Sequence, residues 1–189
     1  MAEATVEPVG WERALMAAEK VKERLRRATR ALDAAGIPYA VIGGNAVAEW
    51  VGRVDEDAVR NTKDVDLLIR RADFPAVQTA LEAVGFVYHQ ELDVDKFLDG
   101  PQGRPSAGIH IVYAGENFSP NIDESERASD FQVIKLETLV RMKLNSHRIK
   151  DRMHIRDLID VGQIDATWPA RFPTQLGERL QQLLDDPNG

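Results

Sequence analysis

The segment Lys63-Asp64-Val65-Asp66-Leu67-Leu68-Ile69 constrains this chain more than any other. Charged and apolar residues alternate at its start, the period-two pattern of a half-buried strand. Residues two apart on a strand face the same way, so Asp64 and Asp66 present two carboxylates side by side while Val65 and Leu67 turn inward. Like charges this close repel unless a cation lies between them. Mg2+, a hard ion that takes oxygen ligands and keeps several waters, suits such a pair, with Mn2+ as a substitute. The plain structural alternative is a sheet edge that uses charge to stay soluble.

A second feature precedes it. Tyr39 to Ile42 is a short apolar run consistent with a buried strand, and it meets Gly43-Gly44 before a helical stretch from Asn45 to Val51. Missing side chains let a phosphate approach the main chain. The helix N-terminus adds a partial positive charge. Asn45 offers amide hydrogen bonds to the same phosphate. Read alone, two glycines before a helix also describe a tight turn.

The remaining chain predicts further elements. Leu15, Ala18, Val21, Leu25, Ala28 and Leu32 recur at helical steps across 11–35, with Gly36 as the stop and Pro38 beyond. On that helix lie Lys22, Arg24, Arg26, Arg27 and Arg30, a solvated face or a surface for a nucleic acid or acidic partner. Asp73 is a fitting N-cap for a helix to about Val84. Strands are expected at 86–90, 94–98, 108–113 and 131–134, and a poorly ordered polar segment over 114–129. Helices follow at about 136–147, 150–162 and 174–184, then a frayed tail. This order predicts an α+β fold, a mixed sheet with helices on one face. The expected division is an N-terminal helix within 1–36, a core at 37–135 and a helical C-terminal part at 136–189, all in one compact domain.

Composition narrows the function. The chain of 189 residues has a net charge of −7, which argues against general nucleic-acid binding, where a basic surface supplies most of the affinity. It has no cysteine, so disulfides and thiolate metal sites are excluded, in keeping with a reducing cytoplasm. The polar start lacks a signal core, and no apolar run is long enough to span a bilayer, so no membrane is expected.

The glycine pair followed by Asp64-Val65-Asp66 resembles the nucleotidyltransferase superfamily, whose fold is that of DNA polymerase beta. From about Ile37 to Gly162 the chain is similar to the small bacterial AbiEii/AbiGii-type group. Leu136-Glu137-Thr138-Leu139-Val140-Arg141-Met142-Lys143 and Lys150-Asp151-Arg152-Met153-His154-Ile155-Arg156-Asp157-Leu158-Ile159-Asp160 add to the likeness. The resemblance implies that Gly43 and Gly44 hold a nucleoside triphosphate, that Asp64 and Asp66 bind Mg2+, and that Lys143 approaches the phosphates. It implies transfer of a nucleoside monophosphate to a tRNA end, a protein hydroxyl or a small molecule, in a toxin–antitoxin or phage-defence setting. Active members carry a third carboxylate on a later strand. The matching stretch here is Ile109-His110-Ile111, so His110 takes that place. An imidazole accepts a proton near neutral pH but is a poor Mg2+ ligand. Asp93, Asp95 and Glu116 are the acids that could supply the missing oxygen. The substitution also admits a silent member that binds a nucleotide or a partner protein.

Overall fold

The computed structural model describes residues 10–117 and 119–186. Helix α1 (Gly10–Ala34) leads into strand β1 (Tyr39–Ile42), helix α2 (Gly43–Gly52) and strand β2 (Val65–Ile69). Helix α3 (Phe74–Ala83), strands β3 (Val87–Glu91), β4 (Val94–Leu98) and β5 (Ile109–Tyr113) follow. Strands β6 (Ser125–Arg127) and β7 (Gln132–Ile134) complete the sheet, and helices α4 (Leu136–Ser146), α5 (Ile149–Asp160) and α6 (Thr174–Asp185) end the chain. The expected frayed tail falls partly on 187–189, outside the described residues.

All strands join one mixed sheet in the order β3-β4-β5-β2-β1-β7-β6. β1 runs antiparallel to β2, with Ile42 opposite Asp66, and β2 runs parallel to β5, with Asp66 opposite His110. Every residue of β1 is buried, as are Val65, Leu67, Leu68 and Ile69 of β2. Neighbouring residues on a strand face opposite ways, so both faces of the sheet centre are covered. Helices confined to one face, expected from element order, do not describe this molecule. One apolar core takes in Leu25 and Leu32 of α1, Val41 and Leu67 of the sheet, and Leu144, Ile155 and Leu180 of the last three helices.

Local chemistry explains where the elements depart from the sequence expectation. The first half of α1 stands away from the core, leaving Trp11, Leu15 and Met16 exposed. Asp73 makes no cap hydrogen bond; it closes a 3-10 turn (Arg71–Asp73), and Pro75 starts α3 in the position where a missing N–H costs nothing. The polar 114–129 segment is ordered in its second half, with a 3-10 turn at Ile122–Glu124 and β6 after it. Its polar groups are satisfied internally: Glu124 accepts from the Asn121 N–H (3.1 Å), from Thr138 Oγ1 (2.9 Å) and from Arg141.

The cationic run on α1 divides. Arg24 is buried, donating from Nε to Asp99 (3.3 Å) and from Nη1 to the Lys63 carbonyl (3.3 Å). Arg27 pairs with the same Asp99 and lies over the Phe86 ring at 4.3 Å. These two residues tie α1 to the loops around β2 and β4 and are not a solvated face.

Candidate active site

The centre is assembled where β1, β2 and β5 lie side by side. At the end of β1 Gly43 adopts φ +68, a left-handed conformation that side chains disfavour. A Cβ built there would lie 1.9 Å from Asp66 Oδ2, so the Asp66 carboxylate occupies the space a side chain would take. At Gly44 a Cβ would lie 2.6 Å from Thr62 Cγ2. The glycine pair thus lets an acidic strand close against a helix start.

The acids are held from behind. The Asp64 carbonyl accepts from Asn45 Nδ2 at 2.7 Å and from Thr62 Oγ1 at 3.0 Å. Asn45 is buried, and its amide N–H is committed to the strand. That contact uses one of the two amide hydrogens and positions the strand. With Arg24 on the Lys63 carbonyl, the carbonyls of residues 63 and 64 are held by Arg24 of α1, Asn45 of α2 and Thr62 of the loop itself.

His110 enters from β5. Its Nδ1 lies 3.5 Å from Asp66 Oδ1 and 3.7 Å from Asp64 Oδ2, and its Nε2 lies 3.1 Å from the Pro105 carbonyl. The hydrogen bond to Asp66 raises the imidazole pKa above its ordinary value, burial opposes this, and Pro105 and the two carboxylate charges add to the rise. One ligand atom from each of Asp64, Asp66 and His110 lies within 4.8 Å of the others, and among the described residues no other group of three or more metal-ligating side chains converges this way.

A family model described as "uncharacterised nucleotidyltransferase" matches residues 11–164. The chain belongs to this nucleotidyltransferase family. Solved structures share the fold. The antibiotic-resistance factor ANT(2'')-Ia is 14% identical at a TM-score of 0.57, over 90% of this chain and 93% of that one. An antigenic nucleotidyltransferase-like protein from Paracoccidioides brasiliensis is 18% identical at 0.55, over 90% and 88%. JHP933 from Helicobacter pylori is 16% identical at 0.53, over 90% and 75%. No curated protein matches the sequence. At these identities the neighbours speak for the fold alone.

Lys143 has a partner of its own in this nucleotidyltransferase-family chain, and the Asp66 charge also acts on it. It is buried on α4 with its Nζ 3.3 Å from Asp151 Oδ1, and burial pushes its pKa down against the pull of Asp151. The ammonium expected at a phosphate is paired inside the protein. Asp151 also accepts from Ser146 Oγ (2.8 Å) and Arg148 Nε (2.8 Å). Burial alone would raise the Asp151 pKa; the Arg148 and Ser146 hydrogen bonds and the Lys143 charge outweigh it and hold the carboxyl at about 2.

Two residues of α5 also reach the centre. Lys150 Nζ lies 4.0 Å from Asp64 Oδ1. His154 packs toward Gly44, its Nδ1 buried without a hydrogen-bond partner. Burial, then the charges of Lys143 and Lys150, push its pKa down to about 4. Both stand beside a cleft of about 350 Å³ that Thr62, Asp64 and Ser106 also line. A larger hollow of about 710 Å³ between α1 and α2 holds no converging ligand set, and its Arg53 and Arg127 already pair with Glu49 and Asp33. The sequence hinted at Lys150 and His154 only through the motif that contains them.

None of the other acids supplies a third oxygen. Asp95 accepts from the hydroxyls of Tyr88 (2.6 Å) and Tyr113 (2.5 Å), and Glu116 takes two hydrogen bonds from Arg71 (2.6 Å each). Asp93 sits in the β3–β4 turn at φ +62. Asp157 binds Arg60 (2.8 Å), while Arg156 faces Asp186 (4.0 Å), so the two are not partners. His147 ends α4 in a left-handed conformation, which breaks any continuous face with His154. No helix among the described residues is long and apolar enough to cross a membrane.

Proposed function

We propose that this chain transfers a nucleoside monophosphate from a metal-bound nucleoside triphosphate to an acceptor hydroxyl. The observation that carries the reading is the convergence of Asp64, Asp66 and His110 on one point beside the Gly43 corner. Their donor atoms fit a divalent ion: two carboxylates and one imidazole face one another at 3.5 and 3.7 Å, and the Lys150 nitrogen lies 4.0 Å from Asp64. Asp64 and Asp66 would hold the ion, which supplies charge neutralisation and polarisation of a phosphoryl oxygen when bound.

The chain's own contribution is positioning. The start of α2 points its free N–H groups toward anionic oxygens. Lys150 adds a cation at the rim of the 350 Å³ cleft, whose size suits a nucleotide-sized ligand. Asn45, Thr62 and Arg24 keep the acidic strand fixed, so little reorganisation is needed when charge develops. In the reaction the acceptor oxygen bonds to the α-phosphorus, the bond to pyrophosphate breaks, and the hydroxyl proton passes to solvent. The resemblance to the AbiEii/AbiGii group extends the proposal to a toxin–antitoxin or phage-defence role, in which case expression of wild type, but not Asp66→Ala, arrests bacterial growth.

The test is transfer of α-phosphate label from ATP, GTP, CTP and UTP to tRNA, protein extract and small-molecule hydroxyls, with Mg2+ and with Mn2+. Label transfer that disappears in Asp64→Ala and Asp66→Ala supports the proposal. His110 in the place of a third carboxylate favours a second reading, a nucleotide- or protein-binding module without turnover. Metal-dependent thermal stabilisation by a nucleotide with no transfer to any acceptor would select it. Neither stabilisation nor transfer would sink both readings.

A further inference from the structure

His110 has the posture of a metal ligand. The Pro105 carbonyl can only accept, so the 3.1 Å contact places the ring hydrogen on Nε2 and leaves the lone pair of the neutral imidazole on Nδ1. That atom faces Asp66 Oδ1 at 3.5 Å and Asp64 Oδ2 at 3.7 Å. On the neutral ring these are three electron-rich atoms pointing at one another, an arrangement that a proton on Nδ1 or a metal ion among them relieves. Ligands around one first-row ion lie about 3 to 3.5 Å apart, given bonds near 2.1 Å, so small side-chain shifts close the set. A backbone carbonyl holding the far nitrogen is the usual support of a ligating histidine. Parallel pairing of β2 with β5 fixes the register that brings the three together.

The donor set therefore does not match Mg2+, which demands oxygens in near-ideal octahedral array and gives up water reluctantly. Imidazole favours first-row transition ions, with affinity rising from Mn2+ through Co2+. We infer that this centre is built for a first-row transition ion, and that His110 sets its preference over Mg2+. The inference rests on Asp64 and Asp66 forming the metal site proposed above, and it names the ion that site selects.

The test uses the nucleotide-free full chain and the metals themselves. Affinities for Mg2+, Mn2+ and Co2+ are measured by calorimetry for wild type, His110→Asp and His110→Ala, with circular dichroism confirming that each is folded. Pulsed electron paramagnetic resonance on the Mn2+ form reads nitrogen coupling directly. The expected results are a nitrogen coupling present only in wild type, and a Co2+-to-Mg2+ affinity ratio that falls by about tenfold or more in His110→Asp. Absence of nitrogen coupling in metal-loaded wild type, or an unchanged ratio in His110→Asp, would overturn the inference, as would failure of wild type to bind any of the three ions. ATP binding is scored separately. Metal bound through nitrogen with no nucleotide bound refutes the transfer reading and upholds this one; nucleotide transfer supported equally by Mg2+ in wild type and His110→Asp does the reverse.

Discussion

Two charged clusters lie close together in this molecule, and they are finished in opposite ways. Around Asp151, the protein supplies every counterpart: an ammonium from Lys143, a guanidinium from Arg148 and a hydroxyl from Ser146. The Asp151 side chain keeps only 3% of its exposure. Around Asp64 and Asp66, each 22% exposed, the nearest partners are an imidazole nitrogen at 3.5 and 3.7 Å and the Lys150 ammonium at 4.0 Å. A cluster closed by its own side chains stabilises a fold. One held rigidly from behind but left incomplete in front is suited to a visitor. The sequence motif covers both clusters without distinguishing them.

The contrast is open to direct attack. Asp66→Ala should abolish label transfer, a loss on the order of 10³-fold, while leaving thermal stability without metal unchanged or raised, because a repulsion is removed. Asp151→Asn should do the opposite. It leaves Lys143 buried with its charge uncompensated, so denaturant titration should show a loss of about 3 kcal/mol. If Asp66→Ala proved the destabilising variant and Asp151→Asn the neutral one, the two clusters would have to exchange roles. Gly43→Ala joins them: it meets both the left-handed backbone and the Asp66 carboxylate, and should cost about 2 kcal/mol while lowering metal affinity.

The pH dependence of stability separates the clusters further. His154 has a folded pKa near 4 against an ordinary 6.5, so the unfolded chain takes up the proton first as pH falls. Its contribution is complete above about pH 6.5 and is lost on descending toward 4. Asp151, held near 2 against 3.8, adds a loss only below about pH 4. Chemical denaturation from pH 7 to 5 should therefore show a decline that His154→Gln flattens and Asp151→Asn does not. The smallest effect belongs to Asn45→Ala. Thr62 still holds the Asp64 carbonyl, so about 1 kcal/mol is expected, read by the same titration.

Periodicity carried much of the fold. Alternation at 63–69 identified β2 and the shared face of Asp64 and Asp66, and the apolar run before Gly43 identified β1. His110 is singled out by the resemblance, not by periodicity, and its place opposite Asp66 comes from the strand register. What periodicity leaves out is partnership. Arg24 with Asp99 and Arg60 with Asp157 are long-range pairs that no local pattern encodes, so a buried clamp read as a solvated face. The pairing of Lys143 goes unseen for the same reason, because its counter-ion Asp151 lies on the next helix. The Asn45 contact goes unseen because the Asp64 carbonyl it binds is a main-chain group, the same at every residue. Residues 122–127 looked unstructured because their order rests on Glu124, a polar hub rather than an apolar stripe.

The parallel pairing of β2 with β5 has a consequence for how the protein is made. Asp66 and His110 become neighbours only after the chain has travelled through α3, the β3–β4 hairpin and the turn at Pro105. During synthesis the first two acids leave the ribosome well before their nitrogen-bearing companion. The β2–β5 pairing is thus a contact of long sequence separation, the kind that closes slowly, and the convergence of Asp64, Asp66 and His110 waits on it.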